Sequence, residues 1–383
     1  MDSLNRMKTS MILFLTNSLR VKGDEDPAYL RFYKHCIRNL ANAAIEGCHI
    51  LRGEYEILCD CRKMFEGDDE FEIFFRGMVN NYFTMTIPPD ITYYIEVVKD
   101  NPEERKENEC IIAQRCIEDF YMSSSLLCCQ FICEDENDCK FYEFVVDWYM
   151  KRNSLKYHLK ISEEGGGGGR TIDKVIKHLK DKRICLCIVD SDQKYPEMEI
   201  NPKSKACVKI DDHQCGYRCM VINVHEIENI LPLNYIDDLI NTFPRYRWPM
   251  SQLQKKHFDY LCHSNEANNI LPYFDYKNGI RKTPEYIRDT NYQKYAKLCW
   301  QYNPEISKGH TFEEFVDALP LKGIIYHKLS DSISADVLYY ISELKKNGSL
   351  NEPALLPYQE VEWCRIGKEL VNWGCARIPE GIS

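Results

Sequence analysis

Two short apolar runs, each ending in carboxylates, constrain the fold of this chain more than any other feature. The run from Leu126 to Cys133 passes directly into Glu134, with Asp138 one helical turn further on; the run from Ile184 to Val189 passes into Asp190-Ser191-Asp192. Apolar runs of this length, bounded by charge, suit strands buried on both faces of a parallel sheet. Between them, Phe141, Phe144, Val145, Trp148 and Tyr149 share one helical face, and Ile172, Val175, Ile176 and Leu179 share another. The order over 131–192 is therefore strand, helix, strand, glycine-rich turn, helix, strand. Alternation of this kind predicts an α/β fold with a parallel sheet flanked by helices, and such sheets gather ligands at the carboxyl ends of their strands. Glu134, Asp138, Asp190 and Asp192 would all converge there. Clustered carboxylates repel one another unless a cation neutralises them, and hard oxygen donors favour Mg²⁺, Mn²⁺ or Ca²⁺ over zinc.

The glycine run Gly165 to Gly169 precedes the second helix. Two readings stay open for it. The N–H groups of Gly166, Gly167 and Gly168 would face a phosphate at a helix N-terminus, or the run is a sterically permissive turn between strand and helix. No Walker spacing occurs in the chain.

Taken together, Glu134 with Asp138, the glycine run, Asp190-Ser191-Asp192, and Val224-His225-Glu226-Ile227-Glu228-Asn229 resemble the TOPRIM domain. More narrowly, they resemble the OLD-type (overcoming lysogenization defect) nucleases and related prokaryotic defence proteins. The resemblance spans residues 126–235, under a third of the chain, and departs from the family's pattern at Asp135, where a glycine is usual, and in the length of the glycine run. It implies a TOPRIM-like sheet and a divalent-metal-dependent endonuclease, an effector of anti-phage defence. DNA is the favoured substrate, and tRNA or other structured RNA is the alternative. The implied cofactor is Mg²⁺ or Mn²⁺, two ions serving to activate water and to steady the leaving oxygen. Glu134 would hold a metal or act as base; Asp138, Asp190, Asp192 and Glu228 would hold metals, with Glu226 in reserve. Only one of the last two is needed, because their spacing puts them on one face of an extended segment and on different faces of a helical one. The family's transition-state lysine matches Lys322 best, in Leu321-Lys322-Gly323, with Lys194 as competitor. The chain has no ATPase motif of its own, so an ABC-type ATPase acting in trans is an implied partner, beside nucleic acid and a second copy of the chain.

Composition bounds these expectations. A formal charge of −10 over 383 residues argues against holding nucleic acid by a general basic surface. Nineteen cysteines occur without a single C-x-x-C pair. Cys207, His213, Cys215, Cys219 and His225 have ligand-like spacing and could hold zinc, but as parts of connecting strands their thiols would serve as small hydrophobes. Cys185 and Cys187 would share one face of a strand, which makes no ligand framework by itself. With no signal peptide, the cysteines read as reduced and the chain as cytoplasmic; Met11 to Leu15 is too short to span a bilayer.

Outside the sheet, helical spacing dominates. Residues 1–125 read as a helical region for packing, dimerisation or recognition, with Leu30, Tyr33, Ile37, Leu40, Ala41 and Ala44 on one face and 99–108 as a surface connection. Residues 126–240 form the TOPRIM-like domain. Residues 241–383 return to helices that complete or cover the core, the last placing Trp363, Ile366, Leu370 and Trp373 on one stripe. Two further classes remain: a non-enzymatic scaffold with a degenerate TOPRIM domain, and a phosphatase or receiver-type acid pocket. The second fits less well because Lys194 stands where a haloacid-dehalogenase nucleophile motif carries Thr or Val.

Overall fold

The computed structural model describes residues 11–21, 25–155, 157–159, 161–167, 169–211, 215–242, 252–302 and 311–377. The chain divides into two compact units. One comprises Met1–Ile188, Cys207–Met220 and Ile366–Ser383; the other comprises Val189–Ala206 and Val221–Arg365. The boundaries expected at 125 and 240 do not coincide with these. Chain passes between the units near the ends of two strands, after Ile188 and Met220, and inside two helices, after Ala206 and Arg365, and composition along the sequence does not register such crossings.

The first unit opens with β1 (Ile12–Leu15), α1 (Pro27–Ile45), β2 (Ile50–Gly53), α2 (Tyr55–Met64), α3 (Asp69–Asn80), β3 (Tyr93–Val98), β4 (Glu104–Glu107) and β5 (Cys110–Cys116). The strands form one sheet in the order β2-β1-β3-β5-β4. All its pairings are parallel except that of β4 with β5. This corrects the expectation of a wholly helical region over 1–125. The helices exist, and Asp26 caps α1 by accepting from the Ala28 N–H at 3.1 Å, while Tyr33, Ile37, Leu40 and Ala41 form its buried face. The strands were hidden because β1 and β3 are short and buried on both faces, so they show no alternation. Met11 to Leu15, too short for a membrane, is β1 and the residue before it.

The expected connection at 99–108 contains β4, a fully exposed edge strand of four charged residues, which blunts the sheet's open side. It turns into β5 through Asn108 at φ 55°, a residue that tolerates the left-handed conformation. Arg105 grips the buried Glu96 on β3 with two bonds of 2.6 and 2.7 Å. Burial works against the Glu96 carboxylate, but its bonds to Arg105 and Gln114 outweigh that and keep its pKa below the usual value.

The second sheet comes from β6 (Gln130–Cys133), α4 (Glu136–Arg152), β7 (Tyr157–Leu159), β8 (Ser162–Gly165), α5 (Thr171–Lys180), β9 (Cys185–Val189), α6 (Pro202–Asp211) and β10 (Tyr217–Val221). Its order is β10-β9-β6-β8, so the expected succession of strands and helices over 131–192 is present. Both apolar runs contract at their starts: the first strand begins at Gln130, after a 3₁₀ turn at Ser123–Leu126, and the last begins at Cys185. β6 runs parallel to β8 and to β9, with Ile132 level with Cys187. Every residue of β6 and β9 is buried, as near-continuous apolar strands require.

The second unit carries α7 (Leu233–Thr242), α8 (Gln252–Cys262), α9 (Ala267–Ile270), β11 (Ile280–Arg281), α10 (Pro284–Arg288), α11 (Thr290–Gln301), α12 (Phe312–Ala318), β12 (Ile324–Tyr326), α13 (Ile333–Lys346) and the start of α14 (Pro357–Gly374). The helices expected beyond residue 250 are present. α10 and α11 meet at Asp289, whose carboxylate caps α11 through the Asn291 and Tyr292 N–H groups. β11 and β12 form a small antiparallel pair inside this mostly helical stretch. All four residues of the α14 stripe are fully buried. In the second unit Trp363 donates from Nε1 to the Ile230 carbonyl at 2.8 Å. In the first, Trp373 stacks on Tyr93 with centroids 4.5 Å apart, and β13 (Cys375–Arg377) pairs antiparallel with β7. No helix among the described residues is long and apolar enough to cross a membrane.

Candidate functional site

Within the second unit, two of the three acidic motifs are tied together through the backbone. The Asp192 N–H donates to the His225 carbonyl at 2.9 Å, and the buried Ser191 hydroxyl donates to the Val224 carbonyl. Asp192 adopts φ 56°, a left-handed conformation that aspartate tolerates better than most residues. One of its carboxylate oxygens accepts from Asn201 Nδ2 at 2.8 Å. The Asp190 carbonyl accepts from Ser204 at 2.7 Å and from Asn201 at 3.3 Å. The Asp190-Ser191-Asp192 turn is thereby fixed against the segment that holds Glu226 and Glu228.

That second segment is a 3₁₀ turn, Ile227–Ile230, with Glu226 as its N-cap. Asn229 anchors it: its side-chain amide donates to the Leu271 and Phe274 carbonyls at 2.6 and 2.8 Å and its oxygen accepts the Glu226 N–H at 3.0 Å. Glu228 is 1 % exposed. Sequence spacing left one of the two glutamates dispensable, yet both reach the same cation. Lys277 Nζ lies 2.8 Å from Glu226 and 3.1 Å from Glu228.

Lys277 is delivered by the turn Asp275-Tyr276-Lys277-Asn278-Gly279. The Asp275 carboxylate accepts the Lys277 and Asn278 N–H groups at 3.1 and 2.7 Å, an Asx turn. Gly279 closes the turn at φ 66°, where a Cβ would stand 2.3 Å from the Tyr326 carbonyl oxygen.

The electrostatics are dominated by burial. It pushes the Glu228 pKa up and the neighbouring Glu226 charge adds to this, against the pull of Lys277. Burial opposes the Lys277 charge too, but the two carboxylates outweigh it and raise its pKa. Glu228 Oε2 has no hydrogen-bond partner, and neither has either ring nitrogen of the buried His225. His225 Nε2 stands 3.7 Å from Asp275 and 3.8 Å from Glu226, beyond hydrogen-bond length.

No family model, curated protein or solved structure matches this chain. The chemistry of the site must therefore be argued from its own donors.

The remaining expected residues fall as follows. Glu134 directly follows β6 and is half-buried, as Asp190 directly follows β9. Asp138 completes a capping box at the start of α4: its carboxylate accepts the Asp135 N–H at 2.8 Å, while Asp135 accepts in return from within the helix. Of the three glycines expected to face a phosphate, Gly166 and Gly167 are described, and both have their N–H groups occupied. The Gly166 N–H donates to the Cys133 carbonyl at 2.6 Å and the Gly167 N–H to the Glu134 carbonyl at 3.0 Å, so both are already engaged in prolonging the β6–β8 pairing. Gly168 lies outside the described residues. The glycines serve close approach, since a Cβ on Gly166 would meet Thr171 Oγ1 at 2.1 Å.

Lys322 is exposed at φ 68° before β12, its N–H bound to the Lys282 carbonyl at 2.8 Å. It forms no ion pair among the described residues, and Lys194 faces Glu285 at 3.8 Å. The cation set against the third acidic motif is Lys277. Sequence reasoning missed it because a single lysine in a turn has no periodic signature. The Asp-x-x-Asn-Gly frame around it was the available signal.

The zinc set expected from spacing does not assemble as written. Cys207 and Cys219 do come together, but with Cys187; His213 lies outside the described residues.

Proposed function

We propose that this chain is a divalent-metal-dependent endonuclease of TOPRIM type that hydrolyses nucleic-acid phosphodiester bonds, DNA foremost, as an effector of anti-phage defence. The observation that carries the reading is the arrangement in the second unit. The Asp190–Asp192 turn is bound to the Glu226–Glu228 segment, Glu228 has a buried open oxygen, and Lys277 is held by both glutamates. The donors are hard oxygens, which fits Mg²⁺ or Mn²⁺. Asp190, Asp192 and Glu228 would hold such ions. Bound metal would supply an activated water and charge neutralisation at the phosphate.

The chain's own groups do the rest. The Lys277 ammonium, kept protonated by its two carboxylates, would steady negative charge as it builds on the phosphate oxygens, the role expected of Lys322 from sequence. Exchange of a glutamate partner for phosphate is the step this asks of it. Asn201 and Ser204 hold the Asp190–Asp192 turn in one conformation, so the acids need no reorganisation when substrate arrives. Asp138 is a helix cap in this structure.

Cleavage of plasmid DNA and of total tRNA by the purified chain, with Mg²⁺ or Mn²⁺ and with chelator, tests the reading, alone and together with a co-purifying ATPase partner. Metal-dependent cutting is expected, falling about 10²-fold or more in Asp190→Asn, Glu228→Gln and Lys277→Met. Cutting of tRNA alone would move the substrate to RNA. Survival of the biological effect in Glu134→Ala and Asp190→Ala would replace the enzyme with a scaffold.

A further inference from the structure

Cys187, Cys207 and Cys219 stand on β9, α6 and β10; all three residues belong to the first unit and are buried. The backbone explains why two of them meet. The Cys185 N–H donates to the Gly216 carbonyl at 2.9 Å and the Ile222 N–H to the Val189 carbonyl at 3.0 Å. This parallel register sets Cys187 directly beside Cys219, and residues so paired present their side chains to one face of the sheet. Cys207, on the helix between these strands, supplies the third sulfur. The three Sγ atoms lie within 4.8 Å of one another.

From this geometry we infer a metal site: Cys187, Cys207 and Cys219 bind one thiophilic d¹⁰ cation, Zn²⁺ or Cu⁺, in the core of the first unit. Three sulfurs around one ion at a metal–sulfur distance of ~2.3 Å stand roughly 4 Å apart, which the observed spread accommodates. An all-sulfur donor set selects soft ions and excludes the Mg²⁺ or Mn²⁺ proposed for the carboxylates. Simple packing of thiols as small hydrophobes does not need three sulfurs to converge. The many other buried cysteines do not do so: this is the one group of three or more potential ligands among the described residues. Binding would release the thiol protons and fasten α6 to β9 and β10.

Elemental analysis and native mass spectrometry of the full chain, purified under reductant and without chelator, test the site. About one zinc or copper per chain is expected, lost in Cys187→Ser and Cys219→Ser and retained in Cys215→Ser, a nearby cysteine outside the triad; the element found distinguishes the two ions. If the serine variants fail to fold, or the wild-type chain arrives metal-free, Co²⁺ titration of the stripped wild-type chain decides. A thiolate-to-cobalt charge-transfer absorption saturating at about one equivalent supports the site. Its absence from a folded, reduced chain overturns it, as would a Cys187–Cys219 disulfide in the chain as isolated.

Discussion

Glu228 and Lys277 show how one side chain sets the behaviour of another. Glu228 is buried with one oxygen open and is stabilised as a carboxylate chiefly by Lys277. Removing that ammonium in Lys277→Met would leave a buried charge without its partner. The expected loss of stability at neutral pH is about 1–3 kcal/mol, between the values for exposed and for fully buried pairs because Lys277 is partly exposed. The sign with pH follows from linkage. A carboxyl whose folded pKa is raised binds its proton more tightly in the folded state, so stability falls as pH rises from the unfolded value near ~4.3 through the folded value. Loss of Lys277 raises the folded value further, so the penalty should be present at neutral pH and nearly absent once Glu228 is protonated in both states. Urea denaturation of both chains at acid and neutral pH checks this, and an equal penalty at both would show that the ion pair is not the cause. Glu228 stood out in its acidic motif, whereas Lys277 became visible only once the Asx turn of Asp275 was folded.

Among the elements, α4 offers the sharpest separation of two readings. Asp138 caps the helix, and Asp138→Ala is expected to cost about 1 kcal/mol by loss of the capping box. If Asp138 is only a cap, metal-dependent cleavage at saturating Mg²⁺ remains within a few-fold of wild type; a loss as large as that of Asp190→Asn would make it a ligand as well. Thermal denaturation and the cleavage assay, run on the same variant, read the two effects separately. The elements also show what a sequence exposes. β6, α4, α5 and β9 were legible because long helical faces alternate with apolar strands that end in acids. β1 and β3 were not, since short strands buried on both faces carry no period, and the helices between them dominate any window. The Cys187–Cys207–Cys219 group was illegible for a different reason: its members lie 20 and 12 residues apart and meet only through sheet register.

For the whole molecule, the excess of ten negative charges limits how nucleic acid could be held. A chain of this charge is not expected to bind DNA or RNA tightly without help, so the binding that the proposed function requires should depend on divalent ions at the carboxylates. Filter binding or anisotropy with a cleavage-deficient Lys277→Met chain should show affinity that appears with Mg²⁺ or Ca²⁺ and vanishes with chelator. Affinity unchanged by chelator and falling steeply with salt would instead reveal a basic surface acting through counterion release.

The charged strand β4 bears on how two copies could associate. Should β4 of one copy meet β4 of another antiparallel about a two-fold axis centred between Arg105 and Lys106, Glu104 would oppose Glu107, and Arg105 would oppose Lys106. Acid would face acid and base would face base along the whole contact, which is destabilising at each position. A homodimer of this chain is therefore expected to avoid the centred β4 pairing and to form, if it forms, through another surface.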